Sequence, residues 1–483
     1  MTPLFALLFD RLDERLRLRG PGRTVANKVF PHNWSFLLGE VALFALVILV
    51  LTGVFLTMFY RPSTAGVVYD GSFELYRGTT QPAAFESILR LSHDVPGGLL
   101  FRRIHRIAAH LFIAASVLHM LRILLTGAFR RPREVNYLLG IGLITFAFAA
   151  GFTGYSLPYD SLAGTGIRIA YSELLSFPVV GDSLAFWIFG GDFPTGDVIP
   201  RFFVFHVMVL PAIILGAVGV HLLLVARQRH TQFPVPGVDG HRYIVGKPLW
   251  PSQFAESATL ILWIGGLLTV AAVLIPWSDV SLIGPYLPGE VGNNAQPDWY
   301  MFWVEGALRI FPAVEFSVFG LMTISGPFIA GILLPGLVFT GLAIYPLVER
   351  RVYGLQGDWH VLTNPLEIPL RAAFVLGTFS FVLIVSAAAT NDILSRLTGI
   401  PIEAATWFFR VAAVVVPPLG AGGLFAYSRR RLQRRGRIVA ATEEDAMRPY
   451  LLGTDVTESL SRSGSLPRNA QDHADGMDPP TTG

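Results

Sequence analysis

Long apolar runs separated by polar, arginine-bearing connections organise this chain. A bilayer core is crossed by a helix of about 20 apolar residues, and eight runs meet that length. They cover residues 36–59, 104–125, 138–157, 202–225, 254–275, 319–347, 372–389 and 406–427. Arginine distribution sets their direction. The leading segment holds Arg11, Arg15, Arg17, Arg19 and Arg23. Arg130, Arg131 and Arg133 follow the second run, Arg227 and Arg229 the fourth, and Arg350 and Arg351 the sixth. Arg429, Arg430, Arg431, Arg434, Arg435 and Arg437 follow the eighth. With eight crossings all five clusters fall on one side, which is predicted to be cytoplasmic. The opposite loops are longer and more acidic: Asp160, Glu173, Asp182, Asp192 and Asp197 lie in one of them. Arg61, Arg77, Arg90, Arg102 and Arg103 dissent, between the first two runs.

Composition sharpens this to an all-α, polytopic membrane bundle. Of 483 residues 52% are hydrophobic and 15% charged, with a mean hydropathy of +0.52, unlike a soluble globular chain. The absence of cysteine excludes thiolate metal sites, iron–sulfur clusters held by this chain and covalent haem. Charges spaced through the start make residues 1–35 an amphipathic surface segment and not a cleavable signal. Residues 36–230 form a first four-helix bundle and 231–428 the remaining spans. Residues 429–483 are a basic, then disordered, cytoplasmic tail. The basic stretches are short and beside the membrane, so no nucleic-acid partner is implied.

Histidine is the unexpected component of the apolar runs. The second run carries His105 and His119, the fourth His206 and His221, at intervals of 14 and 15 residues. These steps rotate by about −40° and +60° round a helix, so each pair shares a face, with its members about 21 Å apart along the axis. Both runs travel in the same direction, so His105 meets His206 near the outer surface and His119 meets His221 nearer the inner one. A single intramembrane histidine is as readily a hydrogen-bonded strut or proton relay as a ligand. Two depth-matched pairs favour bis-histidine ligation of two haem irons, whereas zinc would take more protein ligands than two histidines supply. His110, about 140° round the helix from His105, is expected to be a structural polar residue.

Glycines repeat the period. Gly39 and Gly53 in the first run, and Gly140 and Gly154 in the third, are each 14 apart. Running oppositely, they place Gly39 and Gly140 at the inner histidine level and Gly53 and Gly154 at the outer, where a missing Cβ admits a flat macrocycle. Small-residue helix packing is the alternative for any one of them. Arg102, Arg106 and Arg201 flank the outer histidines and suit haem propionates, or interfacial snorkelling.

With "TGYSLPYD" at residues 153–160, "PDWY" at 297–300 and "GAFRRPREV" after the second run, these spacings resemble the cytochrome b subunit of cytochrome bc complexes over residues 33–427. The 15-residue histidine interval is similar to the photosynthetic branch. The fusion of all eight spans and the basic C-terminal extension are similar to the actinobacterial, menaquinol-using branch. The family's quinol-site tetrapeptide commonly has Glu where this chain has Asp298, one methylene shorter.

The resemblance implies a quinol–cytochrome c reductase subunit with two non-covalent b-type haems and bound menaquinol or menaquinone. Its outer quinol-oxidation pocket would use Asp298 as proton acceptor and Tyr300 as hydrogen-bond partner, with Tyr155, Pro297 and Trp299 shaping it. One electron would go to a Rieske iron–sulfur subunit and one through the haems to an inner quinone site. Candidates there are Arg227, His230, Trp34 and Glu40, each of which also suits interfacial anchoring. A cytochrome c subunit, a terminal-oxidase supercomplex, membrane lipid and a homodimer are the implied partners. The location is a bacterial plasma membrane, multi-pass, with both termini cytoplasmic. Two alternatives are a dihaem anchor for a dehydrogenase and a haem-free proton-coupled transporter using the same histidines with Glu40 and Arg410.

Overall fold

The computed structural model describes residues 26–276, 279–290, 296–320 and 322–435. Most of the amphipathic N-terminal segment, and the tail from residue 436, lie outside them. Among the described residues eight helices are long and apolar enough to span a membrane. They are Trp34–Thr57, Gly98–Thr126, Glu134–Ser156, Val198–Arg227, Leu249–Leu274, Phe328–Val352, Pro369–Ala388 and Ile402–Arg434, spans one to eight below. Span two runs between two glycines in the left-handed region, Gly97 and Gly127, as a residue without a Cβ allows.

The sixth apolar run is displaced from its expected position at 319–347. Glu315–Val318 and Met322–Ser325 pair as an antiparallel hairpin, turned by Phe319 and Gly320 at positive φ. The helix starts only after Pro327. Alternating residues in this stretch satisfy their backbone across a ladder instead of along a helix axis, a distinction that apolarity alone does not make.

Two spans contain a widened π turn: Phe205–Val209 in span four and Phe328–Leu333 in span six, while the start of span five is kinked at Trp250, whose backbone is extended. Pro211 and Pro335 stand just beyond the two π turns. Proline lacks an N–H and clashes with the preceding turn, so the ladder loosens there. His206 sits in the first of these turns.

The loops segregate to two ends, as an even number of crossings requires. At the arginine-rich end the connections after spans two, four and six interlock. Trp359 N donates to Arg131 O at 2.8 Å, Gln232 N to His360 O at 3.1 Å and Thr363 N to Thr126 O at 3.1 Å. The strand Val29–Pro31 pairs there with Gly246–Pro248. At the long-loop end Tyr60 Oη donates to Leu157 O at 2.7 Å, and Tyr286 N to Tyr159 O at 3.0 Å. Ile167, Phe189, Ile199 and Phe202 pack with these two tyrosines, 159 and 286, into a core.

A buried charge cluster fastens the arginine-rich end. Arg130, Glu349 and Arg371 are 5%, 0% and 0% exposed. Glu349 accepts from Arg130 Nε and Arg371 Nε, each at 2.8 Å, and from Tyr345 Oη at 2.9 Å. Arg371 also donates to Thr363 Oγ1 at 2.6 Å. A carboxylate so fully partnered joins spans six and seven to the connection after span two. Glu349→Ala leaves two buried guanidinium groups without their counter-charge and is expected to destabilise the protein by about 3–5 kcal/mol. Thermal unfolding of the purified protein checks this, and an unchanged midpoint would contradict it.

Candidate functional site

His105 and His206 face one another from spans two and four, ring centroids 6.2 Å apart and planes at 75°. Each ring is held by its Nδ1. Thr52 Oγ1 donates to Ile48 O at 2.7 Å, so its remaining contact, 2.9 Å to His105 Nδ1, is accepted from the ring. His206 Nδ1 lies 2.9 Å from Ala150 O, which only accepts. Both rings are thereby assigned the Nδ1–H tautomer, leaving an Nε2 lone pair on each. Imidazole–metal bonds of about 2 Å on opposite sides of one ion separate ring centroids by roughly 6 Å. The outer pair therefore fits two histidine ligands that would hold a single iron, with the supporting hydrogen bonds that orient metal-bound histidines.

The inner pair is built from the same helices. His119 lies within electrostatic reach of His221, and its Nδ1 is buried without a hydrogen-bond partner. An added Cβ at Gly39 would meet His119 Cε1 at 3.1 Å, and one at Gly53 would meet His105 Cε1 at 3.3 Å. One at Gly154 would lie inside van der Waals contact with His206. Three of the four glycines thus back onto the imidazoles. Gly140 does not: its open side faces Met120 Cε at 3.5 Å, beside His119 instead of against a ring.

The three arginines divide. Arg102 stands one turn before His105 on the same face, and its Nε is buried with no partner, as an anion-binding role requires. Arg106, about 100° round the helix from His105, instead donates to Asp298 Oδ1 at 2.6 Å. Arg201 is also committed elsewhere, to the carbonyls of Phe186 and Trp187 at the end of helix Gly181–Phe189.

The Asp298 carboxylate is held on both oxygens, since Tyr300 Oη donates to Oδ2 at 3.0 Å. Burial and this neighbouring carboxylate push the Tyr300 hydroxyl well above its usual value, so it remains a donor. The ring of Tyr300 lies over Gly151, where a Cβ would come within 2.8 Å of it. Trp299 Nε1 donates to His110 Nδ1 at 3.1 Å. Beside this cluster is a cavity lined among others by Tyr155, Pro297, Glu173 and Glu305. Asp298, Trp299 and Tyr300 stand behind its wall.

Residues 110–286 match the family model described as Cytochrome b(N-terminal)/b6/petB. The cytochrome bc1 complex cytochrome b subunit of Streptomyces coelicolor is 40% identical over 408 residues, 84% of this chain and 74% of that protein. The chain belongs to this cytochrome b family. The corresponding subunit of Mycobacterium bovis is 42% identical over 410 residues, covering 85% of this cytochrome b and 74% of its relative. A solved chain of a "Hyperthermophilic respiratory Complex III" shares the fold with a TM-score of 0.61 at 20% identity, over 84% of this chain and 98% of that one. Membership decides against the transporter and dehydrogenase-anchor alternatives, and the relatives are of the actinobacterial branch expected from the fused spans.

Among the described residues no hydrogen bond or ion pair joins the four residues named for an inner quinone site in this cytochrome b. Trp34 is 76% exposed and Arg227 is also exposed. Glu40 accepts from Gln253 Nε2 at 2.9 Å and Ser257 Oγ at 2.7 Å on span five. His230 packs on Phe30 with centroids 4.4 Å apart. Burial, then the Lys28 and Arg133 cations, push its imidazole down to about 4, so it is neutral at physiological pH. What the four share is closeness to a membrane edge, which does not fix the direction of a side chain.

Two participants at the outer site escape sequence reasoning. His110 meets Trp299 because the rotation that removes it from the haem face turns it toward "PDWY". Glu305, seven residues after Asp298 on helix Phe302–Ile310, has no motif but lines the cavity.

Overpacking at the imidazoles distinguishes the glycines. Gly154→Ala is expected to cost about 1–3 kcal/mol as His206 is forced aside. Gly140→Ala, with room for a methyl group, is expected to stay within about 0.5 kcal/mol of the parent. Thermal melts of the two purified variants test the contrast; equal losses would remove it.

Proposed function

We propose that this cytochrome b serves a quinol–cytochrome c reductase and binds two b-type haems, at His105 with His206 and at His119 with His221. The observation that carries the reading is the outer pair, with centroids 6.2 Å apart, planes at 75° and each Nδ1 committed to a protein oxygen. When bound, the haems supply one-electron carriers between the two membrane faces. Thr52 and the Ala150 carbonyl orient the outer rings, and Arg102 offers its uncommitted Nε to a propionate. Gly39, Gly53 and Gly154 keep side-chain volume away from the ligand faces.

The chamber of Tyr155, Pro297 and Glu305 is the quinol-oxidation pocket in this reading. Asp298, next to the lining residue Pro297, accepts a quinol hydroxyl proton once Tyr300 releases its second oxygen, while Arg106 holds the first. Trp299, tied to His110, fixes the loop. Quinone reduction belongs at the arginine-rich end. His230, whose Nε2 is buried without a partner, is the best placed of the four inner candidates. Menaquinol is the substrate that the resemblance to the actinobacterial branch implies, and the relatives' cytochrome bc1 membership supports a Rieske iron–sulfur subunit and a cytochrome c subunit as partners. A homodimer and a terminal-oxidase supercomplex extend the same reading. The arginine-rich end faces the cytoplasm of a bacterial plasma membrane, with both termini on that side.

A pyridine haemochrome assay on the purified complex is expected to give two haems b per chain. His105→Ala should lose the outer haem and His221→Ala the inner, each halving the absorbance. Retention of both haems in both variants would overturn the ligand assignment. Asp298→Asn is expected to keep both haems but lower quinol–cytochrome c turnover by about a hundredfold, measured as cytochrome c reduction. Parental turnover would remove Asp298 from proton transfer.

A further inference from the structure

Glu173 stands where two cavities meet. One is the chamber of Tyr155, Pro297 and Glu305. The other is more open and is lined by Arg168, Tyr286 and Glu290 among others. Thr165, Ile169 and Glu173 border both. They lie four residues apart in succession along helix Ser161–Leu175, so one helix face forms the partition. Only Glu173 among the three ionises.

Its surroundings leave the carboxyl mobile in charge but confined in space. An added Cβ at Gly331 would meet its carboxyl carbon at 2.9 Å, so span six closes one side of it. The other titratable groups around it come from four directions: Glu305 from helix Phe302–Ile310, Tyr155 from span three, Arg168 from its own helix, and Glu290 and Tyr286 from the loop before "PDWY". Glu305 is anchored by Arg309 Nε at 2.7 Å, and Arg309 is shared with Asp392 at 2.9 Å. Glu173 forms no ion pair among the described residues.

We propose that Glu173 is a proton relay, taking the proton released in the quinol chamber and handing it to water in the second cavity. This rests on the quinol-oxidation reading of the chamber. The quinol hydroxyl not served by Asp298 loses its proton, the Glu173 carboxylate gains it, and release to solvent restores the carboxylate; no electrons move in this step. Burial first, and then the charge of Glu305, raise the Glu173 carboxyl to about 7, so it gains and loses a proton with similar ease near neutral pH. A residue that only walled the chamber would have no need of an acid with this placement.

The test is quinol–cytochrome c turnover of the purified complex against pH, with haem spectra taken in parallel. The wild type is expected to show a limb centred near about 7. Glu173→Gln, nearly isosteric, should abolish that limb and slow turnover by about tenfold or more while both haems stay. Glu173→Asp should keep a limb, displaced from that of the parent. An unmoved limb and rate in E173Q overturn the relay, as does equal impairment with no limb in E173D, which marks a packing role. If E173Q fails to assemble, E173D decides: a displaced limb supports the relay and an unmoved one overturns it. A wild-type complex that holds its haems yet oxidises no quinol overturns the underlying reading, and the relay with it.

Discussion

An imidazole inside a hydrocarbon-spanning bundle must satisfy both ring nitrogens, and much of this structure answers that demand. At the outer level one nitrogen of each ring is spent on the protein. Thr52 can accept from His105 because its own hydroxyl hydrogen is occupied by the Ile48 carbonyl, and Ala150 can only accept from His206. The tautomer is therefore fixed by neighbouring oxygens, and the second nitrogen of each ring keeps its lone pair. Glycines make this approach possible, and the π turn before Pro211 sets the angle at which His206 enters.

The two ends of the bundle use charge differently. At the arginine-rich end Arg130 and Arg371 enclose Glu349 so completely that the carboxylate has no freedom left, which favours rigidity over chemistry. At the long-loop end carboxylates remain beside open space. Asp298 is held by two donors, one of them a neutral hydroxyl that can leave without stranding a charge. Asp160, buried at the start of helix Ser161–Leu175, accepts from Ala163 N at 2.8 Å and is raised by burial to about 6. Groups poised near neutrality thus gather at one end, and permanently charged ones are locked at the other.

What the sequence reveals follows from how local each signal is. Helix rotation is arithmetic along one element, so the histidine faces and the two loop-bearing ends are legible in the order of residues alone. The same arithmetic turns His110 away from His105 but does not say what it meets, because the partner lies almost two hundred residues along the chain. Nearness in sequence to a histidine points Arg106 and Arg201 toward propionates; the fold gives them to Asp298 and to two carbonyls at the end of helix Gly181–Phe189. Gly140 shares the glycine period yet faces Met120, since period fixes a level and an angle but not which neighbour fills the space. The hairpin at 315–325 is hidden because its apolar content equals that of a helix. The inner candidates have no pattern behind them, and Glu40 and His230 find different partners, on span five and on Phe30.

The pairing of Val29–Pro31 with Gly246–Pro248, together with Gln232 bonded to the segment after span six, has an implication for how the polypeptide can be divided. The first four spans and the last four are stitched by backbone contacts on both flanks of the connection between them. Covalent continuity across residues 233–245 is therefore not the main thing keeping the halves in register. Two separately translated fragments meeting at that seam would find their mutual alignment already encoded in the strand at one edge and the glutamine bridge at the other.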